Sequence, residues 1–281
     1  MLSYRHGFHA GNHADVLKHV VLLRLLRHMK RKDKPLLFVD THAGAGSYAL
    51  DSGFAAKNAE FESGIARLWQ RADLPEVVAD YVAAVRTLNP DGMLQRYPGS
   101  PRIAADALRA TDHLRLYELH STESALLQQE FSEAGRRVRV DAGDGFAGLA
   151  AVLPPLSRRG LVLIDPSYEV GTDYRAVLTA LRGGLERFAT GTYVVWYPML
   201  ARREAQELPA RLVRAAGTDY LHVALQVQAP SPERFGLHGS GLVVVNPPWK
   251  SAEEIGAVMP FLTEALAQDA AARYVFDVRE T

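Results

Sequence analysis

The chain has 281 residues, 48% of them hydrophobic and 23% charged, with equal numbers of basic and acidic side chains. This is the profile of a globular protein able to bury one substantial core, and it argues against a generic polyanion binder. The absence of cysteine excludes disulfides, thiolate metal sites and a cysteine nucleophile, and no stretch is long and apolar enough to span a bilayer, so a cytoplasmic location is expected.

The charge is unevenly spread. Residues 1–34 hold eight lysines and arginines against two aspartates, with five of the ten histidines. A local excess of this kind is an electrostatic footprint for phosphates, although "KRKDK" at 30–34 reads more simply as a solvated helix face. Asn12 is placed to cap a helix whose apolar positions Val16, Leu17, Val20, Leu23, Leu26 and Met29 recur at helical spacing, with Pro35 just beyond. His9 and His13 have the spacing of a ligand pair on one helix face, but no third-ligand motif accompanies them; no metal is expected, and phosphate or base contact is preferred.

"LLFVD" at 36–40 predicts the first strand. In the "THAGAGSYA" that follows, Gly44, Gly46 and Ala49 match G-x-G-x-x-A, where glycines let a ligand approach the backbone and the start of the next helix favours negative charge. Further strands are expected at 114–119, 137–140, 161–165, 192–197, 221–227 and 242–245. Helical patterns separate most of them, which predicts an α/β fold with a doubly wound, mainly parallel sheet. Two helical patterns, "FESGIARLWQR" and "LPEVVADYVAAVRTLN", lengthen the first crossover beyond an ordinary one. They predict an inserted helical subdomain at 50–95, with 1–49 and 96–281 forming the main domain. The next helix begins at "SPRIAADALRA", where Ser100 can cap and Pro101 suits the first turn.

Three strand ends offer chemistry. The second carries Glu118, a candidate acceptor for ribose hydroxyls once the insertion is excised. The third ends in "VDAGDGF", where Asp141 or Asp144 could meet an adenine amino group and Asp144 could equally cap the next helix. The fourth delivers Asp165-Pro166-Ser167-Tyr168, close to the pattern [DNS]-P-P-[YFW]. In that pattern the acid and the following carbonyl accept hydrogen bonds from an exocyclic amine, and the aromatic ring stacks on the base. Two such acceptors localise the amine's delocalised lone pair toward a sulfonium methyl, an effect of electrostatic preorganisation. The base must first be unstacked or flipped. Asn246-Pro247-Pro248-Trp249 fits the pattern better but follows the seventh strand, where a strand-terminating turn with a packed tryptophan is the simpler reading.

In this order over nearly the whole chain, "MLSYRHGFHAGNHADVLKH", "DTHAGAGSY", "YPGSPRIA", "SRRGLVLIDPSYE", "WYPM" and "NPPWK" resemble the RlmJ-type 23S ribosomal RNA adenine-N6 methyltransferases. The resemblance implies a Rossmann-like class I methyltransferase sheet with a small inserted helical subdomain, using S-adenosyl-L-methionine to methylate one adenine of 23S ribosomal RNA. A monomer is expected. Carried over residue by residue, the resemblance implies that His19, His42, Ser100, Glu118, Asp144, Gly145 and Asp165 contact the cofactor or its pocket. It makes Asp165 the catalytic acceptor and Tyr4 a substrate contact. Gly44 joins the cofactor set, and His6, Lys18 and Tyr168 the substrate set. The family has a second proline where this chain has Ser167, a change that touches the stiffness of the turn more than its acceptors. Three other readings remain: a nicotinamide-dependent oxidoreductase from G-x-G-x-x-A, a DNA adenine methyltransferase from D-P-x-Y, and a non-catalytic ribosome-binding module from the basic arm and Ser167.

Overall fold

The computed structural model describes residues 6–51, 59–217, 219–231 and 236–279. Its strands are β1 (Leu37–Asp40), β2 (Ser47–Ala49), β3 (Arg96–Pro98), β4 (His113–Glu118), β5 (Val138–Ala142), β6 (Gly160–Ile164), β7 (Thr192–Met199), β8 (Tyr220–Gln226), β9 (Gly239–Val245) and β10 (Arg273–Arg279). Its helices are α1 (His13–Met29), α2 (Ala66–Trp69), α3 (Glu76–Arg86), α4 (Ser100–Ala107), α5 (Ser121–Glu130), α6 (Gly145–Val152), α7 (Asp173–Arg187), α8 (Arg203–Ala216) and α9 (Ser251–Leu266).

Asn12 starts α1 as expected, its Oδ1 accepting from the backbone N–H of Ala14 at 2.9 Å and of Asp15 at 3.0 Å. Two of the orphan donors of the first turn are thereby satisfied. Every residue of α1 except Arg27 and Met29 is buried, because the helix lies between the sheet, α3, α4 and α9. Charges on such a helix must find partners. Arg24 and His28 meet Glu254 at the start of α9, and Arg27 meets Asp80 of α3. The basic character of α1 is therefore spent inside the protein and gives no phosphate-facing surface along the helix.

Eight strands form one sheet in the order β10-β8-β9-β7-β6-β1-β4-β5. From β5 to β7 the ladders are parallel, whereas β9 runs antiparallel to both neighbours and β10 antiparallel to β8. The aliphatic run of β6 is buried at every position, as a central parallel strand requires. This is the class I methyltransferase arrangement, with β10 added at the edge. The edge strand was not expected from the sequence: its side chains are mostly exposed, so no apolar alternation marks it.

The glycine turn departs from expectation. No helix follows it; the chain enters β2, which pairs antiparallel with β3, and α2 and α3 lie on the excursion between the two strands. The excursion begins and ends at one point, since Gly99 N–H donates to the Gly46 carbonyl at 2.8 Å. Only then does the crossover helix α4 begin. Gly99 occupies its N-cap position, and Ser100, expected to cap, instead donates its hydroxyl to Asp40 Oδ2 at 2.6 Å.

Ile65, Leu68, Tyr81 and Val85 of the excursion join Leu17, Leu22 and Leu262 against one face of the sheet. Leu149, Val177, Leu181 and Leu208 of α6 to α8 cover the other face. With both faces covered, ligands are left the carboxyl ends of the parallel strands, and the order reverses between β1 and β6. Because β9 is antiparallel, Val245 pairs with Tyr193 near the start of β7, so Asn246-Pro247-Pro248-Trp249 lies at the opposite end from Asp165. It is a turn, as expected, but Trp249 is 75% exposed rather than packed.

Candidate functional site

A cavity of about 620 Å³ opens at the carboxyl ends of β1, β4 and β6, within the size range of small-molecule sites. At one end, Gly44 follows β1 with φ +61°, and a Cβ there would lie 2.1 Å from the Tyr48 hydroxyl oxygen. The Gly44 N–H donates to Glu118 Oε2 at 2.8 Å, and the His120 N–H donates to Oε1 at 2.7 Å. The carboxylate at the tip of β4 is thus held by two backbone donors while each oxygen keeps acceptor capacity for a diol.

Gly145 opens α6 where a Cβ would lie 2.1 Å from the Thr41 carbonyl oxygen, so only glycine lets α6 meet the end of β1 this closely. Asp144 caps α6, accepting from Phe146 N–H at 2.8 Å, and also lines the cavity. The His42 ring meets Phe146 edge-on at 4.8 Å, and burial pushes its pKa down to about 4, leaving the imidazole neutral. Bidentate acceptor, glycine-lined approach and neutral imidazole fit a nucleoside cofactor with a free ribose.

The other end is ionic. Lys18 Nζ donates to Asp165 Oδ2 at 2.6 Å and to Asp15 Oδ1 at 2.9 Å. Asp15 Oδ2 accepts from Gly11 N–H at 2.9 Å and lies 2.9 Å from His6 Nε2. Although burial opposes the charge, His6 and Lys18 hold Asp15 well below the usual carboxylate range. At Asp165 the balance reverses: burial raises the pKa against the pull of Lys18. Buried Asp40 is pushed up to about 7, chiefly by desolvation, with the neighbouring Asp165 charge adding to it. A buried ion pair adds little net stability, since desolvation consumes most of the Coulomb attraction. The effect here is directional: Oδ2 of Asp165 is tied, and Oδ1 makes no hydrogen bond among the described residues.

The cavity wall brings together His6, Lys18, His42, Gly44, Ser100, Glu118, Asp144, Gly145 and Asp165. Three expectations need correction. His19 does not line the cavity: one residue on from Lys18, it faces another way, fully buried, with Nδ1 2.7 Å from the Tyr97 hydroxyl. Lys18, expected to meet the substrate, reaches the cavity but spends its ammonium on two carboxylates. Tyr168 turns inward at φ +55°, is 1% exposed, and donates its hydroxyl to the Trp196 carbonyl at 2.6 Å, so its ring presents no stacking face. Trp196 beside it does line the cavity. Tyr4 lies outside the described residues.

Two wall residues were missed by the sequence reading. Asp15 stands three positions before Lys18, and that acid–base spacing within an apolar helix was a usable signal. Glu60 had none: it comes from the excursion and takes His9 and the Asn12 amide, each at 2.9 Å. His9 is therefore engaged with a carboxylate.

Comparison with known proteins places this geometry. The model of the RsmJ family, described as ribosomal RNA large subunit methyltransferase D, RlmJ, matches residues 33–277. The chain is 48% identical over 266 residues to ribosomal RNA large subunit methyltransferase J of Escherichia coli (strain K12), covering 95% of this chain and 94% of that one. It is 44% identical over 270 residues to the protein of that name from Haemophilus influenzae, covering 96% and 95%. A crystal structure of a Legionella pneumophila protein superposes with a TM-score of 0.89 at 34% identity, covering 97% of this chain and 99% of that one.

Proposed function

This chain belongs to the RlmJ family of ribosomal RNA large subunit methyltransferases, and on that premise we propose that Asp165 accepts the hydrogen bond from N6 of a 23S ribosomal RNA adenine during its methylation. The enzyme is an S-adenosyl-L-methionine-dependent ribosomal RNA methyltransferase. The observation that carries the residue assignment is the Asp165 carboxylate at the end of β6, inside the cavity, with Oδ2 on Lys18 and Oδ1 unengaged among the described residues.

When bound, S-adenosyl-L-methionine supplies an electrophilic sulfonium methyl group. Glu118 would hold the ribose hydroxyls, Asp144 the adenine amino group, and Gly44 and Gly145 would allow the close approach. Asp165 Oδ1 and the Pro166 carbonyl would accept the two hydrogens of the substrate amine, drawing its lone pair out of the ring and toward the methyl carbon. The acceptors are preassembled and largely desolvated, so little reorganisation is needed as charge develops. Residues 1–49 and 96–281 would form the methyltransferase domain and 50–95 an inserted subdomain. The enzyme would act in the cytoplasm as a monomer; among the described residues no helix is long and apolar enough to cross a membrane.

The test is transfer of tritiated methyl from S-adenosyl-L-methionine to unmodified 23S RNA, to other RNA and to DNA, followed by nucleoside analysis. N6-methyladenosine from 23S RNA alone is expected. Asp165→Ala should lower the rate by on the order of 10²-fold or more while cofactor affinity holds. Activity within a fewfold of wild type removes Asp165 from the chemistry.

A further inference from the structure

Two motifs lie away from the cavity, the basic "KRKDK" turn and "NPPWK". Both come to the amino-terminal end of the parallel strands, the end opposite Asp165: Lys34 precedes β1, and Trp249 follows β9. Arginines distant in sequence converge on the same place. Arg109 Nη2 donates to the carbonyls of Lys32 at 3.1 Å and Lys34 at 3.0 Å, and Arg159 Nη1 donates to the same two carbonyls. Burial and the charge of Arg109 both lower the Arg159 pKa, the mark of cations crowded together.

These clamps hold the turn by its backbone and leave its side chains unspent. Arg31, Lys32 and Lys34 are exposed, as are Arg136 before β5 and Arg158 before β6, and none of these side chains has a hydrogen bond or ion pair among the described residues. The negative end of the α1 dipole accounts for cations in the last turn, not for Lys34, Arg136 or Arg158 on separate loops. On a chain with no net charge, such a concentration at one end is a directional field. The exposed Trp249 ring shares this end, with Lys250 Nζ 4.6 Å from its centroid.

We propose that this end of the sheet is a second RNA-binding surface: Arg31, Lys32, Lys34, Arg136 and Arg158 grip phosphates of the ribosomal RNA outside the segment that enters the cavity, and Trp249 stacks on an unpaired base. The proposal rests on the ribosomal RNA reading above. Seven residues separate Lys34 from Thr41 and Arg158 from Asp165, and Thr41 and Asp165 line the cavity, so this face stands roughly 23 Å from it along the strands, at the other end of the sheet. A short hairpin seated in the cavity sits at the carboxyl ends of the strands, whereas a folded domain of the large-subunit RNA is large enough to meet both ends of the sheet. Tethering at a second point would raise the local concentration of the target adenine without touching the chemistry.

The experiment compares a short hairpin around the methylated adenine with a domain-sized 23S fragment, measuring binding by anisotropy and methylation by tritium transfer. Arg31→Gln/Lys32→Gln/Lys34→Gln/Arg136→Gln keeps the clamped backbone and removes four charges. It should weaken binding of the long RNA by about tenfold or more at low salt and flatten its log–log salt dependence by about 3, while hairpin binding, kcat and cofactor affinity stay at wild-type values. Trp249→Ala should weaken the long RNA by about fivefold or more without changing the salt slope. Equal weakening of hairpin and long RNA would make the cations part of the cavity's own field and overturn the proposal. So would unchanged long-RNA binding, or a Trp249→Ala effect confined to oligomeric state. Failure of wild type to methylate the hairpin is a separate result, against the functional reading, because binding of the long RNA is read independently.

Discussion

Replacing Lys18 by methionine removes the ammonium that bridges Asp15 and Asp165 and keeps the volume of its stem. In the structure that ammonium sits 2.6 and 2.9 Å from the two carboxylates, whose side chains are 12% and 2% exposed. At an effective dielectric of about 20, each contact is worth roughly 6 kcal/mol of gross attraction, most of it offset by desolvation. Breaking a buried pair is a different quantity: it strands charge, at a cost of about 3–5 kcal/mol. The variant can escape part of that cost by taking up a proton, so both carboxylates should titrate upward. A folded-state pKa raised above the unfolded value near 4 means stability that falls as pH rises through that window. Lys18→Met should therefore lose more stability at pH 8 than at pH 5 in urea unfolding, and the acid limb of its kcat/KM profile should move to higher pH. Asp15→Asn/Lys18→Met should recover at least about 1 kcal/mol relative to the sum of the single changes. A loss below about 1 kcal/mol at pH 8, with an unmoved acid limb, would refute the view that Lys18 pulls the Asp165 pKa down.

Gly145→Ala places a methyl 2.1 Å from the Thr41 carbonyl oxygen; calorimetric cofactor affinity should drop tenfold or more, with about 1–3 kcal/mol lost in denaturant unfolding, and wild-type values in both would show that α6 is not tightly seated on β1. Among the described residues the Ser167 N–H donates no backbone hydrogen bond, and Ser167→Pro biases Pro166 toward extended geometry, so methyl transfer should change by less than tenfold. An inactive wild type rescued by the proline would mean that Ser167 marks an inactivated relative. Asp40 carries a folded pKa of about 7 against roughly 4 unfolded, so ionising it destabilises the fold progressively from about pH 4 to pH 7. Asp40→Asn keeps an oxygen for the His42 N–H and offers its NH2 to the Ser100 hydroxyl oxygen, and it should gain on the order of 2–4 kcal/mol over wild type at pH 8 with little difference at pH 4, measured by denaturant unfolding at each pH; parallel curves would contradict the assignment.

Central strands and helix starts were legible in the sequence because their causes are local. Leu161 to Ile164 are aliphatic because a central parallel strand buries both faces, and Asn12 caps α1 through atoms two and three residues away. Glu118, Asp144 and Asp165 could be placed for the related reason that strand ends present ligand groups wherever the order of a doubly wound sheet is known. Edge strand β10 escaped notice because pairing with β8, rather than burial, makes it a strand. The same sequence segments left open what each polar side chain would touch. Lys18 meets Asp165 across 147 residues, the Arg109 and Arg159 clamps gather the basic turn, and Tyr168 turns into the core while Trp196 takes the wall. Backbone conformation follows largely from near neighbours, but the ionisation and partners of a side chain depend on which elements exclude water around it, and that is settled only when α1 packs on the sheet and brings Lys18 to the end of β6.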